Sequence, residues 1–151
     1  MSTFMSTETP LHALRRGLIA GAVGTAVMTA AQTAYYKATG AEPSSTPAEV
    51  GKRVIRGVLQ RDVSDDKEGV LNNGMHWLYG TQWGVLYGLA ARRPTHGIVF
   101  GLVVWGASLV ELPAMKLAPP VWEMEPAAIA PDLGFHLLYG VAVAGTHRVL
   151  S

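Results

Sequence analysis

Four apolar stretches of helical length run along the chain, separated by polar segments of unequal size. The first, Gly17 to Tyr36, contains no charged residue. A helix of that length rises about 30 Å, the thickness of a bilayer core. The second, Met75 to Ala91, is interrupted by His76 and Gln82 and ends at Arg92-Arg93-Pro94. The third, Gly97 to Met115, has Glu111 and Pro113 near its end. The fourth, Leu133 to Leu150, carries His136 early and His147-Arg148 late. The pattern predicts an all-α, polytopic membrane protein with four transmembrane helices at 17–36, 75–91, 97–115 and 133–150. Residues 1–16 form a polar N-terminal segment, and the rest is a single membrane domain. The rival is a soluble four-helix bundle. A surface helix of such a bundle carries a polar face, and the first stretch has no charged one.

A repeat runs through these stretches. Met75-His76-Trp77-Leu78-Tyr79-Gly80 returns as Phe135-His136-Leu137-Leu138-Tyr139-Gly140, and Gly17 and Gly21 match Gly97 and Gly101. Two hairpins in the same order predict parallel repeats, related by an axis along the membrane normal. The glycines have a packing reason. His76, Gly80, Gly84 and Gly88 recur every fourth residue, as do His136, Gly140 and Ala144. Each set makes a narrow stripe on one helix face. Small residues let backbones approach closely in lipid, so the stripes are expected to face other helices, within the chain or across a homodimer.

The connection at 37–72 is the one long hydrophilic block. Within it, Pro47 to Gln60 is amphipathic, with Val50, Val54, Ile55 and Val58 on one side and Glu49, Lys52, Arg53, Arg56 and Gln60 on the other. Two placements suit this helix: in the interface plane, or as a solvated connector packed on the bundle. Asp62 to Glu68 reads as a loop. So does Lys116 to Asp132, which holds Pro119, Pro120, Pro126 and Pro131 and offers Trp122 to the headgroups. Arg15-Arg16, Arg92-Arg93 and Arg148 flank helices on one side. They are read as cytoplasmic, which puts both termini inside, although the opposite side holds more Lys and Arg.

Charge and composition narrow the function. Of 151 residues, 49% are hydrophobic and 15% charged, with 17 glycines and a net charge of +1. That balance argues against a nucleic-acid partner, which needs a basic surplus on one face. With no cysteine, thiol catalysis and Cys-type zinc sites drop out. A cleaved secretory signal is disfavoured, because the apolar run after Arg16 is long and further apolar stretches follow. No G-x-S-x-G, Walker loop, H-E-x-x-H or dinucleotide fingerprint occurs. No enzymatic activity is expected.

Candidate chemistry gathers at one depth. Gln32, His76, Glu111 and His136 each lie near the long-connection end of their helices, with Tyr79 and Tyr139 one turn deeper. Ionisable groups in a membrane span usually face the bundle interior. Three uses fit such a cluster. It can tie hairpin to hairpin. It can bind a transition metal through His76, His136 and Glu111, or a haem between the two histidines. It can carry protons or a solute in a small oligomeric channel, using histidine titration. His96 and His147, beside arginine or threonine at the other face, read as interface anchors. Trp77, Trp83, Trp105, Tyr35, Tyr36 and Tyr87 read as belt or packing residues.

The stretch Pro113-Ala-Met-Lys-Leu-Ala-Pro-Pro-Val-Trp-Glu123, followed by Asp132-Leu-Gly-Phe-His136, resembles the DUF1440 family of small bacterial inner-membrane proteins, which is linked to acid resistance. The likeness covers mainly residues 97–148, about a third of the chain. It implies a multi-pass inner-membrane protein with a role in low-pH survival, and brings no catalytic residues. The expectation is therefore a non-enzymatic inner-membrane protein supporting envelope or acid-stress tolerance. Its partners are the lipid bilayer and either its own copies or a membrane complex. The alternatives are a metal- or haem-binding subunit of a redox assembly and a small channel or carrier.

Overall fold

A computed structural model describes residues 9–90 and 96–151. Among them the regular structure is helical throughout: α1 (Pro10–Thr39), α2 (Thr46–Leu59), α3 (Glu68–Ala90), α4 (Gly97–Ala114) and α5 (Pro126–Val149). Single 3₁₀ turns at Asp65–Lys67 and Val121–Glu123 sit in the two connections at one end. Proline opens α1, α2 and α5, where its missing N–H costs nothing. Gly40, at φ +71°, closes α1 in the left-handed region and donates its N–H to the Tyr36 carbonyl.

Three helices are longer than the apolar pattern suggests. α1 gains residues at both ends, α3 starts at Glu68 rather than Met75, and α5 starts at Pro126 rather than Leu133. The pattern marks where polarity changes, whereas a helix propagates through backbone hydrogen bonds and runs on through Asn72-Asn73-Gly74. Most of the expected proline-rich loop at 116–132 survives, but Pro126 starts α5 and Pro131 lies inside it. Ala91 to Thr95 and residues 1–8, which include the Arg92-Arg93 flank and half of the N-terminal segment, lie outside the described residues.

Helices α1, α3, α4 and α5 form an up-down-up-down bundle. α1 packs on α3 and on α5, and α4 packs on α5. α3 and α4 meet through rings instead of backbone: Tyr87 and Trp83 stand 4.7 and 6.4 Å from Phe100, centroid to centroid. The early turns of α1 lie beside the end of α5, where Arg16 Nη1 donates to the Leu150 carbonyl at 3.5 Å.

Glycine sets the close pairs. A methyl group at Gly17 would sit 2.7 Å from the Gly84 oxygen and 2.8 Å from Val85 Cα, and one at Gly21 would sit 2.8 Å from the Thr81 oxygen. In the other hairpin, a methyl at Gly97 would meet Val141 Cα at 2.6 Å and the Gly140 oxygen at 2.7 Å, and one at Gly101 would meet Leu137 Cα at 3.0 Å. The stripe His76, Gly80, Gly84, Gly88 therefore lies along α1, against Thr29, Thr25, Gly21 and Gly17 in turn. Gly140 lies against Gly97 and Gly101, and Ala144 packs at the edge of the core.

These contacts set a register that differs from the sequence match. Positions 81, 84 and 85 of α3 face α1 as 137, 140 and 141 of α5 face α4. The contact spacing is thus one helical turn shorter than the spacing that aligns His76 with His136. His136 occupies the place of Gly80, and His76 lies one turn nearer the long connection. A stripe with small residues every fourth position aligns equally well after a shift of four, so the pattern alone does not fix the register.

The core is small: Ala20, Met28, Tyr87, Phe100, Val104, Phe135, Tyr139 and Val143. The outer faces are apolar too, with Ile19, Leu86, Ile98, Val103 and Val141 exposed. Three helices, α1, α4 and α5, are long and apolar enough to cross a membrane. α3 is not among them, because Asn72, Asn73, His76 and Gln82 dilute its apolar residues.

Helix α2 is fastened to the start of α3. Ala48 is fully buried there and Gly51 rests on Leu71 and Met75. Asn72 clamps the helix start, accepting from the Ala48 N–H at 2.9 Å and donating to the Ser44 carbonyl at 3.1 Å. Lys52 bridges to Glu68 at 2.6 Å and to Glu49 at 3.3 Å. These carboxylates hold its ammonium above the ordinary lysine value.

Candidate polar centre between the hairpins

The polar residues at the long-connection end are positioned by a ladder of hydroxyls along α1. Thr25, Thr29 and Thr33 each donate to the carbonyl four residues back, at 2.8 Å. Thr29 has one hydroxyl proton, and the Thr25 carbonyl takes it. Its contact with His76 Nε2 at 3.0 Å therefore requires the imidazole to donate, which fixes His76 as the Nε2–H tautomer. His76 Nδ1 is left with a lone pair.

His136 is held the other way round. Its Nδ1 lies 2.8 Å from the carbonyl oxygen of Asp132 and 3.5 Å from that residue's carboxylate. A carbonyl only accepts, so His136 is the Nδ1–H tautomer, with the lone pair on Nε2. Asp132 is itself fixed by the indole N–H of Trp105, 2.9 Å from Oδ2. Each imidazole stands about one helical turn from the Tyr139–Gly80 contact along its own helix. One belongs to the α1/α3 hairpin and the other to α4/α5.

Two tyrosines complete the joint. Tyr139, 2% exposed, crosses the bundle and donates to the Gly80 carbonyl at 2.5 Å. Tyr79 donates to Glu111 Oε2 at 2.9 Å. Both cross-hairpin hydrogen bonds reach α3 at neighbouring residues, Tyr79 and Gly80.

Several sequence expectations land differently. Glu111 lies on an exposed face of α4 and serves Tyr79, so His76, His136 and Glu111 do not assemble as a three-ligand set. Among the described residues no group of three or more His, Asp or Glu side chains is placed to hold a metal ion. Gln32 is half-buried, and no hydrogen bond joins it to the histidines among the described residues. His147 is not an interface anchor. It is 7% exposed, with its ring edge-on to Tyr87 at 5.2 Å. His96 caps the start of α4 and is exposed. Trp83 packs against Tyr79 and Phe100, whereas Trp122 is 81% exposed.

Sequence reasoning missed Thr29, Trp105 and Asp132 as parts of the centre. Asp132 stands four residues before His136, the spacing of neighbours on a helix face. It was hidden because the proline-rich segment read as a loop. The threonine spacing of four on α1 was visible in the same way.

No protein-family model, curated protein or solved structure matches the chain. The likeness noted at Pro113–His136 gains no support there.

Proposed function

We propose that the chain is a non-enzymatic, multi-pass protein of the bacterial inner membrane that supports envelope tolerance of acid, with the two-histidine joint as its proton-responsive element. In this reading α3 crosses the bilayer with α1, α4 and α5, and both termini face the cytoplasm. The two hairpins are parallel repeats. The common contact register supports this, as do the aromatic pairs Tyr79/Trp83 and Phe135/Tyr139, which stand at equivalent places in it. Apolar outer faces fit a lipid surround.

The observation that carries the acid reading is that His76, bonded to Thr29 in the α1/α3 hairpin, and His136, in α4/α5, each stand about one helical turn from the Tyr139–Gly80 bond that joins the hairpins. An imidazole takes up its second proton near pH 6.5. On α5 the Asp132 carboxylate lies 3.5 Å from His136 Nδ1. A proton taken up by His76 finds no carboxylate on α1, where Thr29 is its partner. That charge would stand unpaired in a poorly hydrated bundle, where an unpaired ion is costly. Acid would thus loosen α3 from α5 at the connection end. Spin labels at Leu78→Cys and Leu138→Cys, on the chain in nanodiscs, test this. The distance between them should lengthen between pH 7.5 and pH 5, and His76→Gln should abolish the change. Identical distances at both pH values would refute the reading.

One observation favours a second reading. A carboxylate or backbone carbonyl that takes the second ring N–H of a histidine is common behind metal ligands, and the Asp132 carbonyl does this for His136. His76 and His136 would then supply two ligands to a transition metal or haem. Metal analysis and an absorption spectrum of the purified protein would decide it.

A further inference from the structure

Helix α2 has three faces. At about 100° per residue, Ala48, Gly51, Lys52 and Ile55 share one face, and Val50, Val54 and Val58 share a second. Glu49, Arg53, Arg56 and Gln60 share a third, about 130° round the helix from the valines. The first face is occupied, because it is the one fastened to α3. The valine face opens along the helix: Val50 is half-buried, whereas Val54 is 47% and Val58 74% exposed. The fastening contacts fall between Ala48 and Lys52, and beyond them every residue of α2 except Ile55 is exposed.

The height of α2 is also set. Its contacts on α3 run from Glu68 to Met75. These are the polar turns just before the apolar stretch begins, about 10 Å of helix rise. Interfacial helices sit at that depth. Trp122, on the other connection at the same end of the bundle, is 81% exposed, as suits a residue at headgroup level. The valine face and the charged face flank the fastened face on either side, so of the two only the valine face offers an apolar surface to a bilayer.

We propose that α2 docks on the bilayer itself, along the leaflet at the connection end, with Val50, Val54 and Val58 among the acyl chains. Apolar insertion drives the docking, not attraction to anionic headgroups. Lys52 is paired with Glu68, Arg56 with Asp62, and residues 37–72 hold basic and acidic side chains in equal number. The inference rests on the membrane placement proposed above.

The absence of cysteine makes the test direct. Val54→Cys, Val58→Cys, Arg53→Cys and Gln60→Cys, with Leu102→Cys on α4 as a reference, each carry an environment-sensitive fluorophore. The full chain is placed in zwitterionic phosphatidylcholine nanodiscs. Labels at 54 and 58 should show blue-shifted emission and quenching by nitroxide on acyl chains. Those at 53 and 60 should be quenched by aqueous iodide. The pattern should persist in 1 M salt, where the screening length falls to about 3 Å. Iodide access at 54 and 58, with Leu102 in lipid, would make α2 a solvated connector and overturn the inference alone. Shielding of 54 and 58 from both quenchers would mean a protein cover, such as a second copy, and would also overturn it. An aqueous Leu102 would overturn the membrane reading with it.

Discussion

Replacing Gly84 by alanine probes the α1/α3 seam. A methyl group there would collide with Gly21 Cα and N and lie 2.7 Å from the Gly17 oxygen. Non-bonded carbons rest at about 3.5–4.0 Å, so the helices must part by roughly an ångström. Every atom in the way is backbone, and no side chain can rotate aside. Overpacking of this kind costs about 1–3 kcal/mol, at the upper end here because both partners are glycines in rigid helices. Alanine's better helix propensity returns about 0.8–1 kcal/mol. The net loss is about 1–2 kcal/mol. Gly106→Ala is the control, because a methyl there meets nothing within 4 Å and keeps the full propensity gain. The variants should therefore differ by about 2–3 kcal/mol, or roughly 4–12 °C in Tm for a chain of this size. Thermal melts in one detergent, read by circular dichroism, measure it. A Gly84→Ala protein melting with or above Gly106→Ala would refute the seam. Gly84→Leu should lower Tm further than Leu86→Ala, whose side chain is 45% exposed.

Two further outcomes follow from the polar centre. His76→Ala and Thr29→Val should each lose the same interhelical hydrogen bond, about 0.6–1.7 kcal/mol by analogy with other membrane helices. The double variant should cost no more than either alone, and additive losses would show that the pair does not interact. Tyr139→Phe should cost about 1 kcal/mol, since the buried Gly80 carbonyl loses a donor. Tyr79→Phe should cost less, because Glu111 is solvated; melts showing the reverse order would place the joint wrongly.

Much of the architecture is legible in the sequence. A charge-free run at 17–36 can hardly be other than a buried or lipid-facing helix, and the amphipathic period at 47–60 places α2 to within a residue. The four-residue glycine stripe identifies the face of α3 that meets α1. Helix ends are less legible, because Asn72 and Pro126 mark a change of polarity and not the end of a hydrogen-bonded backbone. The register between hairpins was hidden by the stripe's own periodicity. The polar centre was half visible. Its histidines stand out, but their partners Thr29 and Asp132 are ordinary residues whose roles depend on helix-to-helix contacts. Glu111 looked like a third ligand by depth, yet depth says nothing about which side of α4 it occupies.

Solid-state nitrogen NMR of histidine-labelled protein in bilayers tests the joint most directly, with signals assigned by single His→Gln variants. At pH 7.5 the account predicts opposite tautomers, Nε2–H at His76 and Nδ1–H at His136. On acidification the hairpins should part at the connection end. Identical tautomers at neutral pH, or imidazoles that charge without any change in hairpin separation, would contradict it.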